Sequence, residues 1–366
     1  MKNERNIYID VVKGIAIILV VYGHCIEYYS KEYIYDNFFY SDIVHKIIYS
    51  FHMPLFMVIS GYLFSGTIER YSFPCVLQSR FTKLLLPIFI WNSLFLLIQN
   101  FINLLEGRRI CSLGEGIWSY FNALWFLWAI FYCSMIVLCV SRWLHDNIYV
   151  YIALWIVMLF IPGIYGINLY VYMYPFFVVG YLWNKHHIMG KFKKLFSTKV
   201  SIYLLSTLLF LLYVVLCVHY TVHDYIYISG SGILKGLRTT HPYIDFFQLS
   251  TNLYRYVIGF VGVSTCCLFM SFVYFKNYKL FNVIIAKLGR KSLGIYIIST
   301  IIFNNFILPL LSSDTGIIYS IVALETIGVL LITYMLTILL EKHRTFKMLF
   351  LGGRSVSYTH LRAHET

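Results

Sequence analysis

Charged side chains are scarce in this sequence. Asp, Glu, Lys and Arg make up 12% of its 366 residues, whereas they make up about one quarter of an ordinary soluble domain. Hydrophobic residues make up 60% of the chain, and the mean hydropathy is +0.73. This shortage of charge excludes an ordinary soluble protein and predicts an integral membrane protein.

The sequence also lacks the motifs of several common enzyme classes. It has no P-loop, no dinucleotide-binding fingerprint, no HExxH zinc motif and no GxSxG nucleophile motif. The eight cysteines show no metal-ligand spacing, and the histidines do not cluster as zinc ligands would. The sequence therefore predicts no metal site.

A basic net charge of +13 is not accompanied by any nucleic-acid-binding motif. The basic residues lie in short loops between apolar runs, where they act as topology signals. We therefore expect the lipid bilayer, and no nucleic acid, as a partner. Acidic lipids or a phosphorylated ligand are the anionic partners that suit such a chain.

Ten apolar runs are long enough to approach a membrane span, which needs about 20 residues. The first run is too long for a cleavable signal peptide, so we expect it to be retained as a helix. The pattern predicts an all-α bundle of about ten transmembrane helices. The runs cover residues 8–28, 45–65, 84–104, 118–141, 147–163, 167–184, 200–220, 254–275, 292–311 and 317–340.

Lys and Arg residues concentrate in the even-numbered loops between these runs and near both ends of the chain. The positive-inside rule then places both termini in the cytoplasm. Residues 354–366 are polar and carry no helical apolar stripe, so we expect a non-native or disordered tail after a transmembrane domain of residues 1–353. The longest outer segment, about 221–252, has the length of a functional loop.

The first run contains Asp10, Lys13 and His24, and an ionisable residue inside a spanning helix is costly to bury and usually marks a functional site. Lys13 and His24 are eleven residues apart, so they share a helix face at a separation of about 16 Å. Asp10 is three residues before Lys13, close enough for a side-chain pair. A long ligand with a charged head and a reactive arm suits this face, because imidazole is a good general base near neutral pH.

The histidines also have structural interpretations that the sequence leaves open. Asp10 and Lys13 can form a structural pair, and His24 can face lipid headgroups at the membrane interface. His52 precedes Met53 and Pro54 in the second run. It either faces the interior of the bundle or only bonds a backbone carbonyl.

The other candidate site residues also have more than one interpretation. Arg80 is either a snorkelling anchor or a phosphate contact suited by its forked geometry. Arg255 is an interfacial anchor or lines an outward-facing cavity. Arg290 fits the positive-inside pattern, and Trp125 fits apolar packing with a polar indole edge.

Six segments of the chain resemble the acyltransferase-3 family of integral membrane acyltransferases. They occur in the family's order and span about residues 5–300. The amino-acid sequence of the first segment most resembles the fucose 4-O-acetylase-like branch. The segments are RNIYIDVVKGIAIILVVYGH, FHMPLFMVISGYLF, SRFTKLLLPIFIW, LWFLWAIF, YPFFVVGYLW and LGRKSLGIYIIST.

The resemblance implies a ten-helix bundle that moves an acyl group, usually acetyl from acetyl-CoA, to a sugar hydroxyl of a surface glycan. The family's essential first-helix histidine falls on His24, and the basic residue eleven positions earlier falls on Lys13. The second-helix histidine of this branch falls on His52. The basic residue before the third helix falls on Arg80.

We therefore expect a multi-pass O-acetyltransferase of the bacterial inner membrane. Acetyl-CoA would enter from the cytoplasm, and the acceptor would be a surface polysaccharide or its lipid-linked precursor. The predicted catalytic residues are His24, His52 and Asp10; the predicted acetyl-CoA contacts are Lys13, Arg80 and Arg290; and the predicted acceptor contacts are Arg255 and Trp125.

Two other functions suit the same sequence. A polysaccharide or small-molecule exporter would also need a polar cavity inside the bundle, but it would not consume acetyl-CoA. An O-succinyltransferase would use a different acyl donor in the same fold.

Overall fold

The structure is a computed structural model that describes residues 6–28, 38–122, 124–161, 166–188, 190, 199–236, 241–275, 279–305 and 317–353. The tail predicted at 354–366 lies outside these residues. Within them the chain is almost entirely helical. Two short strands, β1 (Leu234–Lys235) and β2 (Tyr243–Ile244), pair antiparallel with Leu234 opposite Ile244.

The fifteen α-helices of the described residues are joined by two 3-10 turns, Phe38–Ser41 and Val222–Asp224, and by a π-helical turn, Phe81–Leu85. In chain order the helices are α1 (Ile7–Tyr28), α2 (Ile43–Arg70), α3 (Phe73–Arg80), α4 (Leu86–Leu105), α5 (Leu113–Asn122), α6 (Trp125–Trp143), α7 (Ile148–Leu159), α8 (Ile167–Lys185), α9 (Lys199–His219), α10 (Ile226–Ser229), α11 (Phe246–Phe275), α12 (Lys279–Arg290), α13 (Ser292–Asn305), α14 (Tyr319–Lys342) and α15 (Arg344–Leu351).

Each of the ten predicted runs contains a helix, which confirms the all-α membrane fold. In the described part of the chain, seven helices are long and apolar enough to cross a membrane by themselves. Two more, α7 and α13, are apolar but shorter. The orientation of the termini stays a prediction.

Two of the predicted boundaries are wrong. The run predicted from residue 118 is broken, because Leu124 has a left-handed backbone with φ of 49° and α6 begins only at Trp125. The run predicted from residue 254 begins earlier, because α11 extends back to Phe246. The added turns contain polar residues, and their buried Gln248 and Asn252 amides bond to loop carbonyls.

Helices α1 and α2 form the interior of the bundle. Within their apolar windows, 61% of α1 and 67% of α2 are buried, against 11% of the window in α9. The lipid-facing helices can expose apolar side chains at no cost, whereas an inner helix can carry polar groups that face its neighbours. Several polar side chains of α1 and α2 are accordingly buried inside the protein, among them Asp10, His45 and His52.

Glycines allow the inner helices to approach closely. A Cβ at Gly289 of α12 would lie 1.8 Å from the carbonyl oxygen of Asp10, and one at Gly14 would lie 2.1 Å from the carbonyl oxygen of Ile285. Small residues at such crossings let helix backbones touch within a membrane. The start of α1 is thereby fixed against α12.

Candidate active site

His24 is held by an acidic residue one turn later in the same helix. Its Nδ1 lies 2.8 Å from Oε2 of Glu27. The His24 ring centroid lies 5.4 Å from that of Phe303 on α13 and 6.4 Å from that of Tyr49 on α2. The imidazole is therefore inside the bundle rather than directed into lipid, and 29% of its side chain remains exposed.

Glu27 also reaches a second histidine, on the neighbouring helix. Its Oε1 lies 3.3 Å from Nε2 of His45, which is fully buried in the first turn of α2. The Asp42 side chain accepts a hydrogen bond from the His45 backbone N–H at 2.8 Å and caps that helix. One carboxylate thus bridges imidazoles from two helices.

His45, Tyr49 and His52 occupy one face of α2, because they are spaced by four and three residues. The Tyr49 ring stacks on His45 at 3.9 Å between centroids and meets the His52 ring at 4.8 Å. His52 is buried, and its Nδ1–H donates to the Ile48 carbonyl at 2.7 Å. Both interpretations of His52 therefore describe part of its position: it faces the interior, and it bonds a backbone carbonyl.

Hydrogen bonding assigns the protons of His24. An ionised carboxylate only accepts hydrogen bonds, so the Nδ1–H of His24 donates to Glu27. In the neutral imidazole the other nitrogen, Nε2, then carries the lone pair. Within the described residues no protein group bonds this nitrogen, so the lone pair is available to a substrate.

The Lys13 end of the predicted face is built on α1 and α12. Because α1 is a continuous helix, Lys13 and His24 are separated by about 16 Å along its axis. Asp10 is buried, and Gly289 packs on its carbonyl. Arg290 follows Gly289 directly, so it lies at the level of the first turns of α1.

A cavity of about 440 Å³ opens beside Arg290. Its lining carries four cationic side chains and one carboxylate, and that carboxylate, of Glu341, is paired with Lys291. Neither Lys13 nor Arg80 is among its described lining residues. The cavity is lined by Lys287, Arg290, Lys291, Tyr334, Glu341 and Lys347.

Arg80 is placed elsewhere in the structure. Its guanidinium carbon lies 4.3 Å from the ring centroid of Phe64, a fully buried residue of α2. This cation–π contact turns the side chain inward, toward the bundle. The structure therefore does not bring Arg80 and Arg290 into one described cavity.

The Arg255 guanidinium is hydrogen-bonded to other groups of the protein. The side chain is 1% exposed, and its N–H groups bond to Asn252 and to groups of residues 223–230. No N–H remains to meet an acceptor sugar. The geometry favours a role in holding the outer loop over the predicted contact with the acceptor.

Trp125 contacts Tyr227, which also contacts Tyr49 on the histidine-bearing face of α2. Its ring centroid lies 6.0 Å from that of Tyr227, and the Tyr227 ring lies 6.2 Å from that of Tyr49. Tyr227 is 43% exposed despite these two ring contacts. Its free face and Trp125 together offer an aromatic surface next to Tyr49.

Sequence reasoning missed Glu27, His45 and Tyr49. Glu27 ends the first apolar run and His45 begins the second, and both positions are those where polar residues are expected to meet water. The available signals were spacings: Glu27 is three residues after His24, and His45 is seven before His52. Only their packing shows that both run ends face each other.

No group of three or more His, Cys, Asp or Glu side chains suited to a metal ion occurs in the described ranges. Comparison with known proteins gives a match to the family model described as "Acyltransferase domain" over residues 6–342. No solved structure matches the chain.

Two curated relatives are both named nodulation protein NolL. The protein from Mesorhizobium japonicum is 31% identical over 206 residues, which cover 55% of this chain and 55% of the relative. The protein from Sinorhizobium fredii is 37% identical over 190 residues, which cover 49% of each chain. This chain thus spans about half the length of the curated relatives it matches.

Proposed function

Because this chain belongs to the acyltransferase-3 family, we propose that it is a membrane-embedded O-acetyltransferase that moves an acetyl group from acetyl-CoA to a sugar hydroxyl. The observation that carries this proposal is the bond between His24 Nδ1 and Glu27 at 2.8 Å. It leaves the Nε2 lone pair of a half-buried imidazole free inside the bundle. This pairing of a base with an orienting carboxylate is typical of acyl-transfer chemistry.

The proposed reaction is a direct transfer. His24 Nε2 takes the proton of the sugar hydroxyl while the sugar oxygen attacks the thioester carbonyl carbon. The carbon–sulfur bond of the tetrahedral intermediate then breaks, and the coenzyme A thiolate takes the proton back from His24. Glu27 stabilises the imidazolium that exists between these two steps, and we assign His52 Nε2 to orienting the thioester.

The donor is proposed to enter from the cytoplasm. The cavity at Arg290 is lined by four cations, of which Lys291 is paired with Glu341 and the other three are proposed to meet nucleotide phosphates. It lies near the start of α1. Lys13, held by Asp10, would meet the phosphates closest to the membrane, and Arg80 is kept as a further proposed contact. The roughly 16 Å of α1 between Lys13 and His24 is a distance that the extended arm of coenzyme A can bridge.

The acceptor is proposed to be a cell-surface polysaccharide or its lipid-linked precursor. Two curated relatives are named nodulation proteins, and that name does not specify an acceptor. Trp125 and Tyr227 form the aromatic surface nearest to Tyr49, and we assign them to holding the sugar ring. The site of action would be the bacterial inner membrane.

A transfer assay with purified protein tests the proposal. Protein in lipid nanodiscs is given [¹⁴C]acetyl-CoA and candidate glycans from the host, and release of free coenzyme A and label in the glycan are both measured. We expect acceptor-dependent release that is lost in His24→Ala and kept in His186→Ala, an exposed histidine outside the site. Glycan movement across the membrane without thioester cleavage by the wild type would instead identify an exporter.

A further inference from the structure

Arg255 anchors the outer loop to α11. Its Nε–H donates to the Asp224 carbonyl at 2.7 Å, and its Nη1 donates to the Gly230 carbonyl at 2.5 Å. Its Nη2 donates to the carbonyls of His223 and Tyr225 at 3.0 and 3.2 Å. Three consecutive carbonyls therefore converge on one guanidinium, which fixes the backbone on both sides of Tyr225.

The same face of α11 holds the end of this loop. Gln248 and Asn252 precede Arg255 by seven and three residues, so all three side chains lie on one stripe of the helix. The Gln248 amide donates to the Gly230 carbonyl at 2.9 Å, and the Asn252 amide donates to the Ser231 carbonyl at 2.7 Å. The loop is bonded to a rigid element at both ends of the segment that carries Tyr225.

Tyr225 connects the anchored loop to the histidines through a contact with His45. It is 1% exposed, and its hydroxyl donates to the Tyr40 carbonyl at 3.2 Å. We assign the single hydroxyl hydrogen to the Tyr40 contact, so the hydroxyl oxygen accepts in its second contact, with Nδ1 of His45 at 3.0 Å. His45 therefore carries a hydrogen on Nδ1. Burial raises the pKa of Tyr225, so its hydroxyl stays protonated.

This proton placement constrains the contact between His45 and Glu27. A neutral imidazole with hydrogen on Nδ1 has a lone pair on Nε2, and that lone pair would face the lone pairs of Oε1 at 3.3 Å. A proton must therefore lie between the two groups. Because Oε2 of the same carboxylate also accepts from His24, an ionised carboxylate between two N–H groups satisfies every donor.

We propose that Tyr225, fixed by Arg255, is a positioning residue that keeps His45 doubly protonated, so that Glu27 stays ionised and available to His24. The inference rests on the proposed function. It extends the active site from α1 through α2 to the outer loop, and it assigns the predicted acceptor residue Arg255 to organising the catalytic centre. The Glu27 side chain is only 17% exposed, and a charge largely removed from water is costly without such a cationic partner.

The contacts from Tyr225 through His45 to Glu27 form a relay. Removing the Tyr225 hydroxyl tests this relay by its effect on activity. Tyr225→Phe keeps the ring and its packing but removes the acceptor for His45, and we expect kcat to fall roughly 10- to 100-fold. The KM for acetyl-CoA should stay within about twofold, because the donor cavity is untouched. Tyr254→Phe is the matched control, since its hydroxyl donates to the Leu216 carbonyl and does not contact a histidine. Equal effects of the two variants would overturn the proposal.

A double-mutant cycle separates positioning from simple loop stability. Arg255→Lys keeps the charge but cannot bond several carbonyls at once, so kcat should fall as it does in Tyr225→Phe. If both residues act through His45, the double variant is little worse than either single variant. Additive losses would mean that Arg255 acts independently of Tyr225, and this outcome contradicts the relay.

A spectroscopic readout distinguishes failure of the relay from failure of the proposed function. Protein labelled with ¹⁵N-histidine is measured in lipid bilayers at neutral pH, and the His45 signals are identified by subtracting the spectrum of His45→Gln. We expect both ring nitrogens of His45 in the range of protonated nitrogen. One unprotonated nitrogen would overturn the proposal even in an active enzyme. Two protonated nitrogens in a protein without transferase activity would leave the relay intact and reject the function.

Discussion

The Glu27 carboxylate pairs with His24 across one helical turn, with 2.8 Å between Oε2 and Nδ1. Such a pair does two things in a base catalyst: it fixes the tautomer that leaves Nε2 free, and it stabilises the imidazolium when the base takes a proton. His45 reaches His24 through this carboxylate, so Glu27 is where the proposed mechanism is most sensitive.

The charge of Glu27 should matter more than its shape. Glu27→Gln keeps the size of the side chain but removes the negative charge, so we expect kcat to fall at least about 100-fold. The KM for acetyl-CoA should change little. Glu69→Gln, an exposed position at the far end of α2, is the control and should keep wild-type rates. Wild-type kcat in Glu27→Gln would show that His24 needs no carboxylate.

The basic cavity should affect donor binding and not the chemical step. Arg290→Gln and Lys287→Gln each remove one lining cation, so we expect the KM for acetyl-CoA to rise about tenfold with kcat nearly unchanged. Lys279→Gln, at the start of the same helix and outside the lining, is the control. The contrary result is a fall in kcat at an unchanged KM, which would place the nucleotide elsewhere.

Helix contact at Gly289 should be essential for stability. An added Cβ would lie 1.8 Å from the Asp10 carbonyl oxygen, so Gly289→Ala forces α12 away from α1. We expect a loss of about 1–3 kcal/mol in the free energy of unfolding, measured as a lower Tm in detergent. A Cβ at Gly328 meets nothing within 4 Å, so Gly328→Ala should leave Tm unchanged or raise it. Equal Tm values for the two variants would contradict the packing of α1 on α12.

The sequence predicts the helices well because a spanning helix has to be apolar along its length, and hydropathy measures that property directly. It predicts boundaries poorly where polar residues are satisfied inside the protein. The start of α11 at Phe246 is one example, because Gln248 and Asn252 bond loop carbonyls that lie far away in the sequence. No local pattern reports such partners.

The site was predictable only in part for the same reason. His24 can be singled out because an ionisable residue inside an apolar run often marks a functional site, and because the family's first-helix histidine falls on it. Glu27 and His45 stand at run ends, where charge is ordinary, and their contact at 3.3 Å depends on how α1 and α2 cross. Arg255 is the converse case: a cation near the end of a helix suggests a ligand, and no local pattern shows that its carbonyl partners come from residues 223–230. Its contact with the acceptor stays a prediction.

The aromatic surface should recognise the acceptor. Trp125→Ala removes the ring that meets Tyr227, so we expect the KM for the acceptor glycan to rise about tenfold while the KM for acetyl-CoA stays the same. Trp143→Ala, at the exposed end of α6, is the control. A parallel rise in both KM values would indicate a general loss of structure and not a sugar contact.

Substitutions of His52 can separate the roles of its two ring nitrogens. An asparagine amide can take the place of Nδ1–H and keep the bond to the Ile48 carbonyl, but it has nothing at the position of Nε2. If Nε2 orients the thioester, His52→Asn should lower kcat about tenfold while Tm stays near that of the wild type. His52→Ala loses both groups and should lower kcat and Tm together. Full activity in His52→Asn would assign this histidine to the backbone alone, and the reaction would then depend on His24, Glu27 and His45.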